Sequence, residues 1–194
     1  MKKNRVELNP SEQQLVKELR RRQLRHRQCA AIRSTVCILL VIGAAAVLAA
    51  SLWIPMFRIT GNSMEPFLKQ GQVVVAIRPC SLHTGDVAAF YYENQILIKR
   101  VIAESGNWID IDQQGNVFVN GEAMEEEYLS EAVLGTTDIT YPYQVPDGCY
   151  FVMGDNRAVS MDSRMSTVGC ISQEKVAGKV LFRIWPIQQL EYIG

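Results

Sequence analysis

The chain has 194 residues, 48% of them hydrophobic and 21% charged, with 20 basic side chains balanced by 20 acidic ones. That length leaves room for one ordinary domain plus something extra. The zero net charge conceals a split that argues against a single uniform globule: residues 1–33 hold ten Lys and Arg against three Glu, while the rest of the chain is acidic.

In chain order, Asn9-Pro10-Ser11-Glu12 predicts a helix start, with Asn9 as the cap and Pro10 in the first turn. The stretch that follows carries Leu15, Leu19 and Leu24 among many basic groups. It reads either as a basic helix lying in a membrane interface or as an extension of the helix that comes next. Residues 34–57, STVCILLVIGAAAVLAASLWIPMF, contain no charge. As a helix at about 1.5 Å per residue this run spans roughly 36 Å, enough for a hydrocarbon core of about 30 Å. Trp53 and Phe57 stand at its far end, where aromatic rings favour the interface. The basic near end places the N-terminus in the cytoplasm and residues 58–194 outside. A cleavable secretory signal would have a shorter apolar core, so the run reads as a permanent anchor.

Beyond Arg58 the pattern becomes short β-rich runs at 72–77, 86–92, 96–102, 108–111, 117–120, 149–153 and 179–185, separated by Gly, Asn and Asp turns such as Gly85-Asp86 and Asn120-Gly121. Their spacing predicts a mainly β fold of antiparallel sheets. Residues 122–146 are acidic and irregular, and read as an insertion over the core. Cys29 lies in the basic segment and Cys37 in the apolar one; Cys80, Cys149 and Cys170 lie beyond, where one disulfide is possible and one thiol is left over. The cysteines and histidines show no metal-ligand spacing, so neither metal nor cofactor is expected.

Few nucleophile patterns occur. A Ser–His–Asp triad would rest on His83, since His26 is in the basic tail. Ser172 and Lys175 form an SxxK match of the kind chance supplies. Ser63, in GNSMEPFL, follows the apolar run closely, and Gly61 and Pro66 shape a turn around it. Such a turn is an ordinary surface feature, or one that presents a hydroxyl beside a free N–H able to bind an oxyanion. Lys99, in ILIKRVI, alternates with Leu97 and Val101. It is either an edge-strand lysine that discourages aggregation or a desolvated amine with a lowered pKa, as a general base requires. The loop Gly154-Asp155-Asn156-Arg157-Ala158-Val159-Ser160-Met161-Asp162-Ser163-Arg164 concentrates polar groups after an apolar strand. There Asp162 and Arg164 could pair and Ser160 could bind a neighbouring amine.

Taken together, GNSMEPFL, GDVAAF, KRVIA, GDNRAVSMDSR and GKVLFRIWP, in that order behind one apolar span, resemble the bacterial type I signal peptidases, which use a Ser–Lys dyad. The resemblance covers most of residues 58–194. It implies an antiparallel β-sheet catalytic domain preceded by one transmembrane helix, with residues 1–33 a basic cytoplasmic tail, 34–57 the span and 58–194 the extracytoplasmic catalytic domain. Ser63 is then the nucleophile and Lys99 its general base; Ser160 orients the amine, and Asp162 and Arg164 stabilise the site. Gly61 takes a position where some members carry a hydroxyl that helps bind the oxyanion, so here backbone N–H groups, chiefly that of Ser63, are left for that role. Phe67 stands where Thr is common. The implied substrates are preprotein signal peptides cut after small residues in Ala-x-Ala type sites, bound extended along a strand edge. The implied partners are the lipid bilayer and, functionally, the secretion translocon, with no nucleic acid. A self-cleaving repressor of related chemistry would carry a DNA-binding helix-turn-helix in place of the basic tail and span. A membrane-tethered binding module would not need Ser63 and Lys99.

Overall fold

A computed structural model describes residues 10–78, 81–129 and 131–194. Helix α1 runs unbroken from Pro10 to Trp53, so the basic and apolar segments form one rod. Within it, Ala31–Trp53 is long and apolar enough to cross a membrane, and its apolar side chains, Leu39, Leu40 and Val41 among them, are exposed. The Thr35 hydroxyl donates to the Ala31 carbonyl at 3.0 Å, which satisfies a polar group inside the apolar run. The helix stops four residues short of the expected Phe57 because Pro55 drives the preceding Ile54 out of the helical region. Asn9 and the residues before it, with Cys80, lie outside the described residues.

The chain divides into two compact units, Met1–Ala50 and Ser51–Gly194. The second is built from twelve strands: β1 (Met56–Arg58), β2 (Val73–Ile77), β3 (Val87–Tyr92), β4 (Gln95–Ala103), β5 (Trp108–Ile111), β6 (Val117–Val119), β7 (Glu122–Ala123), β8 (Tyr143–Gln144), β9 (Cys149–Met153), β10 (Ile171–Ser172), β11 (Val176–Trp185) and β12 (Glu191–Tyr192). They form an eight-stranded sheet in the order β1-β2-β11-β3-β4-β9-β10, with β12 on β11, and a four-stranded sheet in the order β7-β6-β5-β8. Every pairing is antiparallel. The seven expected strands are all present. The additional ones are two or three residues long, too short for an alternating pattern to register.

Three buried clusters fill this unit. One gathers Ile59, Met64, Leu68, Val74, Val87 and Val180; a second Leu82, Ala88, Phe90, Val101, Val152 and Ile171; a third Ile102, Ile109, Ile111, Val117, Phe151 and Met153. Strand β4 contributes to more than one cluster, so residues 99–103 are all buried. Its pairing is uneven along its length. Gln95–Arg100 pair with β3, whereas β9 joins the other edge only at Arg100–Ala103. Lys99 therefore stands where the far edge of β4 changes from open to paired.

Candidate active site

The start of β9's pairing also determines where the polar loop begins. Met153 pairs with Arg100, and the chain then leaves the sheet at Gly154. It crosses to the turn after β1, where the Asn156 N–H donates to the Ser63 carbonyl at 3.0 Å and the Asn156 amide to the Asn62 carbonyl at 3.2 Å. Gly154 lies in this crossing. A Cβ there would stand 2.2 Å from Ser160 Oγ and 2.4 Å from the Ser63 carbonyl oxygen. Only a residue without a side chain lets the two segments approach so closely.

Lys99 is 2% exposed, and its Nζ donates to Ser160 Oγ at 2.8 Å. Burial lowers its pKa to about 8. The charges of Asp162 and Asp155 act to raise it, and that of Arg164 to lower it further. Behind Ser160, the Arg164 guanidinium donates two hydrogen bonds to the Asp162 carboxylate, at 2.8 and 2.9 Å, and Asp162 also accepts the Gly154 N–H at 3.0 Å and the Arg164 N–H at 3.3 Å. Burial pushes the Asp162 carboxyl up, but these donors, the Arg164 charge and the Ser160 hydroxyl outweigh it and hold the group below the usual carboxylate range. The remaining Arg164 N–H groups reach the Leu134 and Arg157 carbonyls. Every buried side-chain polar atom among the described residues has a partner, as a firm polar site requires.

Ser63 is half-buried and lines a cleft with Gly61, Met64 and Gln95–Ile98 of β4. Neither its hydroxyl nor its backbone N–H has a hydrogen-bond partner among the described residues. The hydroxyl and the Lys99 amine are not bonded to each other, and catalytic hydrogen bonds in unliganded sites are often long. Gly61 is exposed and takes φ of +86°, in the left-handed region where a side chain is strained. Lys99, Ser160, Asp162, Arg164 and the Ser63 backbone thus come together, with Gly61 beside Ser63 in the cleft. The alternatives lie elsewhere. His83 is exposed on a turn against Glu104, Lys175 is exposed, and Cys149 and Cys170 are free thiols.

Several residues here escaped the sequence reading. Arg100 donates to both Asp155 carboxylate oxygens, at 2.9 and 2.6 Å. Its guanidinium lies 4.7 Å from the Phe67 ring centre and 3.8 Å from that of Tyr128. Arg157 donates to the Gly154 carbonyl at 3.1 Å and is ion-paired with Glu126. Asp155 and Arg157 were visible as part of the polar loop, but their partners come from distant segments. Residues 122–146 do more than cover the core: Leu134 and Tyr141 pack on it while Glu126, Tyr128 and Leu134 reach the site.

Residues 32–185 match the family model for signal peptidase, peptidase S26. Signal peptidase IB of Staphylococcus aureus is 33% identical over 156 residues, which cover 70% of this chain and 80% of that protein. The chloroplastic thylakoidal processing peptidase 1 of Arabidopsis thaliana is 36% identical over 145 residues, covering 66% of this chain and 41% of that one. A crystal structure of a signal peptidase I from Enterococcus faecalis, 28% identical, overlaps 52% of this chain and 97% of its own with a TM-score of 0.42.

Proposed function

Because the chain belongs to the signal peptidase family, peptidase S26, we propose that Ser63 is its nucleophile and Lys99 its general base. The chain is a serine endopeptidase that removes signal peptides. The observation that carries the dyad is the burial of Lys99, whose amine has a pKa of about 8. An ordinary lysine, with a pKa of about 10.4, is almost wholly protonated at neutral pH and is no base.

In this reading neutral Lys99 takes the Ser63 proton as Oγ attacks the scissile carbonyl, and the unpartnered Ser63 N–H receives the oxyanion. The lysine then gives that proton to the leaving amine, so the C–N bond breaks and an acyl-enzyme remains. A water, deprotonated by the same amine, releases the signal peptide and restores Ser63. Ser160 orients the amine, and Asp162 and Arg164 hold Ser160's loop in place.

The open edge of β4 at Gln95–Ile98 faces the cleft that holds Ser63. An extended peptide can add to that edge through its backbone. Substrates carry small residues, Ala-x-Ala, before the cut. The protein is anchored by α1 with its N-terminus in the cytoplasm and residues 58–194 outside, since the basic residues crowd the near end of the apolar run. Across the eight-stranded sheet the pairings Met56↔Val75, Val75↔Phe182 and Phe182↔Tyr192 align one face, on which Met56, Phe182 and Tyr192 are exposed. This apolar row supports contact of the domain with the bilayer surface, where preproteins leave the secretion translocon.

The test is cleavage of a purified preprotein in detergent by wild type, Ser63→Ala and Lys99→Ala. Wild type should cut after a small residue and both variants should be folded and inactive. Normal cleavage by Lys99→Ala would remove the lysine from the mechanism.

A further inference from the structure

We propose that Glu126 and Tyr128, in the acidic segment 122–146, are positioning residues that hold in register the two backbone stretches carrying Lys99 and Ser63. The inference rests on the reading of Ser63 and Lys99 as the reacting pair, and goes beyond it by assigning work to a segment outside every motif.

The links can be followed atom by atom. In Glu125-Glu126-Glu127-Tyr128, Glu125 and Glu127 are exposed, whereas the Glu126 side chain is only 8% exposed. Its carboxylate pairs with the fully buried Arg157 and accepts the Tyr128 hydroxyl at 2.7 Å. Arg157 in turn donates to the carbonyl of Gly154, the residue wedged between Ser160 and the Ser63 backbone. On its other side Tyr128 lies against the Arg100 guanidinium. Arg100 follows Lys99 in β4, binds Asp155 bidentately and touches Phe67 on the Ser63 turn. Glu126 and Tyr128 thereby bridge Arg157 and Arg100, one gripping the loop that touches Ser63, the other adjoining Lys99.

Physical reasons make this bridge necessary. Three buried guanidiniums, those of Arg100, Arg157 and Arg164, lie within one small site, and each needs a carboxylate or a ring face to replace its water. Asp155 faces Lys99 electrostatically, as do Asp162 and Arg164. If Arg100 slackens its hold on Asp155, that carboxylate is less neutralised and favours the protonated lysine. A shift of about 1 Å in reacting groups costs on the order of 100-fold in rate.

The experiment compares full-length Tyr128→Leu, Tyr128→Phe, Glu126→Gln and Glu125→Gln in detergent, measuring kcat and KM for a preprotein, the pH–rate profile and thermal unfolding. Tyr128→Leu and Glu126→Gln should lose at least about tenfold in kcat with KM little changed, and in Tyr128→Leu the acid limb should move to higher pH. Tyr128→Phe, which keeps the ring on Arg100, should recover most of the loss, and exposed Glu125→Gln should match wild type. The proposal is overturned if Tyr128→Leu and Glu126→Gln keep parental kcat, or if their losses follow only the unfolded fraction and the acid limb of Tyr128→Leu does not move. Ser63→Ala is run alongside: activity there would sink the dyad itself, whereas an inactive Ser63→Ala beside fully active Tyr128→Leu sinks only the positioning role.

Discussion

The amine of Lys99 donates to the hydroxyl of Ser160 across 2.8 Å, although the two residues are 61 positions apart in the chain. This bond fixes the direction of a long, flexible side chain that is buried away from the surface. A neutral amine held by one N–H keeps its lone pair free for the proton of Ser63. Ser160→Ala should therefore fold normally and lose at least about tenfold in kcat, because the amine is no longer aimed. Steady-state kinetics with matched circular dichroism would check this, and an unchanged kcat would deny Ser160 an orienting role.

The lowered Lys99 pKa sets a pH dependence with a definite sign. Activity needs the neutral amine, so kcat/KM should rise with pH, bending near pH 8 and falling about tenfold per unit below it. A profile that bends instead near 6 or above 10 would point to a different base.

The same shift bears on stability. Below pH 8 both folded and unfolded chains hold the lysine proton, and the fold carries a cation its surroundings disfavour. Between about 8 and 10.5 the folded chain has lost that proton while the unfolded chain keeps it, so stability rises with pH. Relative to Lys99→Met, which has no proton to lose, wild type should gain about 3 kcal/mol between pH 7 and pH 10.5. Denaturant unfolding of both proteins at several pH values measures the difference, and a constant gap would contradict the burial of the charge.

Gly154→Ala places a methyl group where Ser160 Oγ and the Ser63 carbonyl already stand. The loop must withdraw from the Ser63 turn, so activity should fall at least about 100-fold even in a protein that stays folded. A variant with near-parental kcat would show that the loop can move aside without disturbing Ser63.

Asp162→Asn leaves the fully buried Arg164 without its carboxylate. Breaking a buried pair from one side costs about 3–5 kcal/mol, so unfolding in denaturant should move to clearly lower concentration. A loss under about 1 kcal/mol would show that the Leu134 and Arg157 carbonyls suffice to hold the guanidinium.

Much of this protein follows from local pattern alone. An uncharged run long enough to cross a bilayer declares itself by length, and strands of four or more residues declare themselves by composition and turn residues. The order of GNSMEPFL, KRVIA and GDNRAVSMDSR carried the family, because each motif is short and contiguous. The helix ends at Trp53, four residues before Phe57, since hydrophobicity does not report where a proline breaks a helix. The three Glu before Tyr128 are alike in sequence, and only packing turns Glu126 inward to Arg157 while Glu125 and Glu127 face water. Phe67 and Tyr128 meet on Arg100 although they come from distant segments. The low pKa of Lys99 depends on the strands and loops that bury it and on three charges from the 154–164 loop. Periodicity and motifs encode what neighbours along the chain can do. Which distant side chains share a buried site is decided by how the strands pair, because burial and charge compensation are properties of the assembled fold.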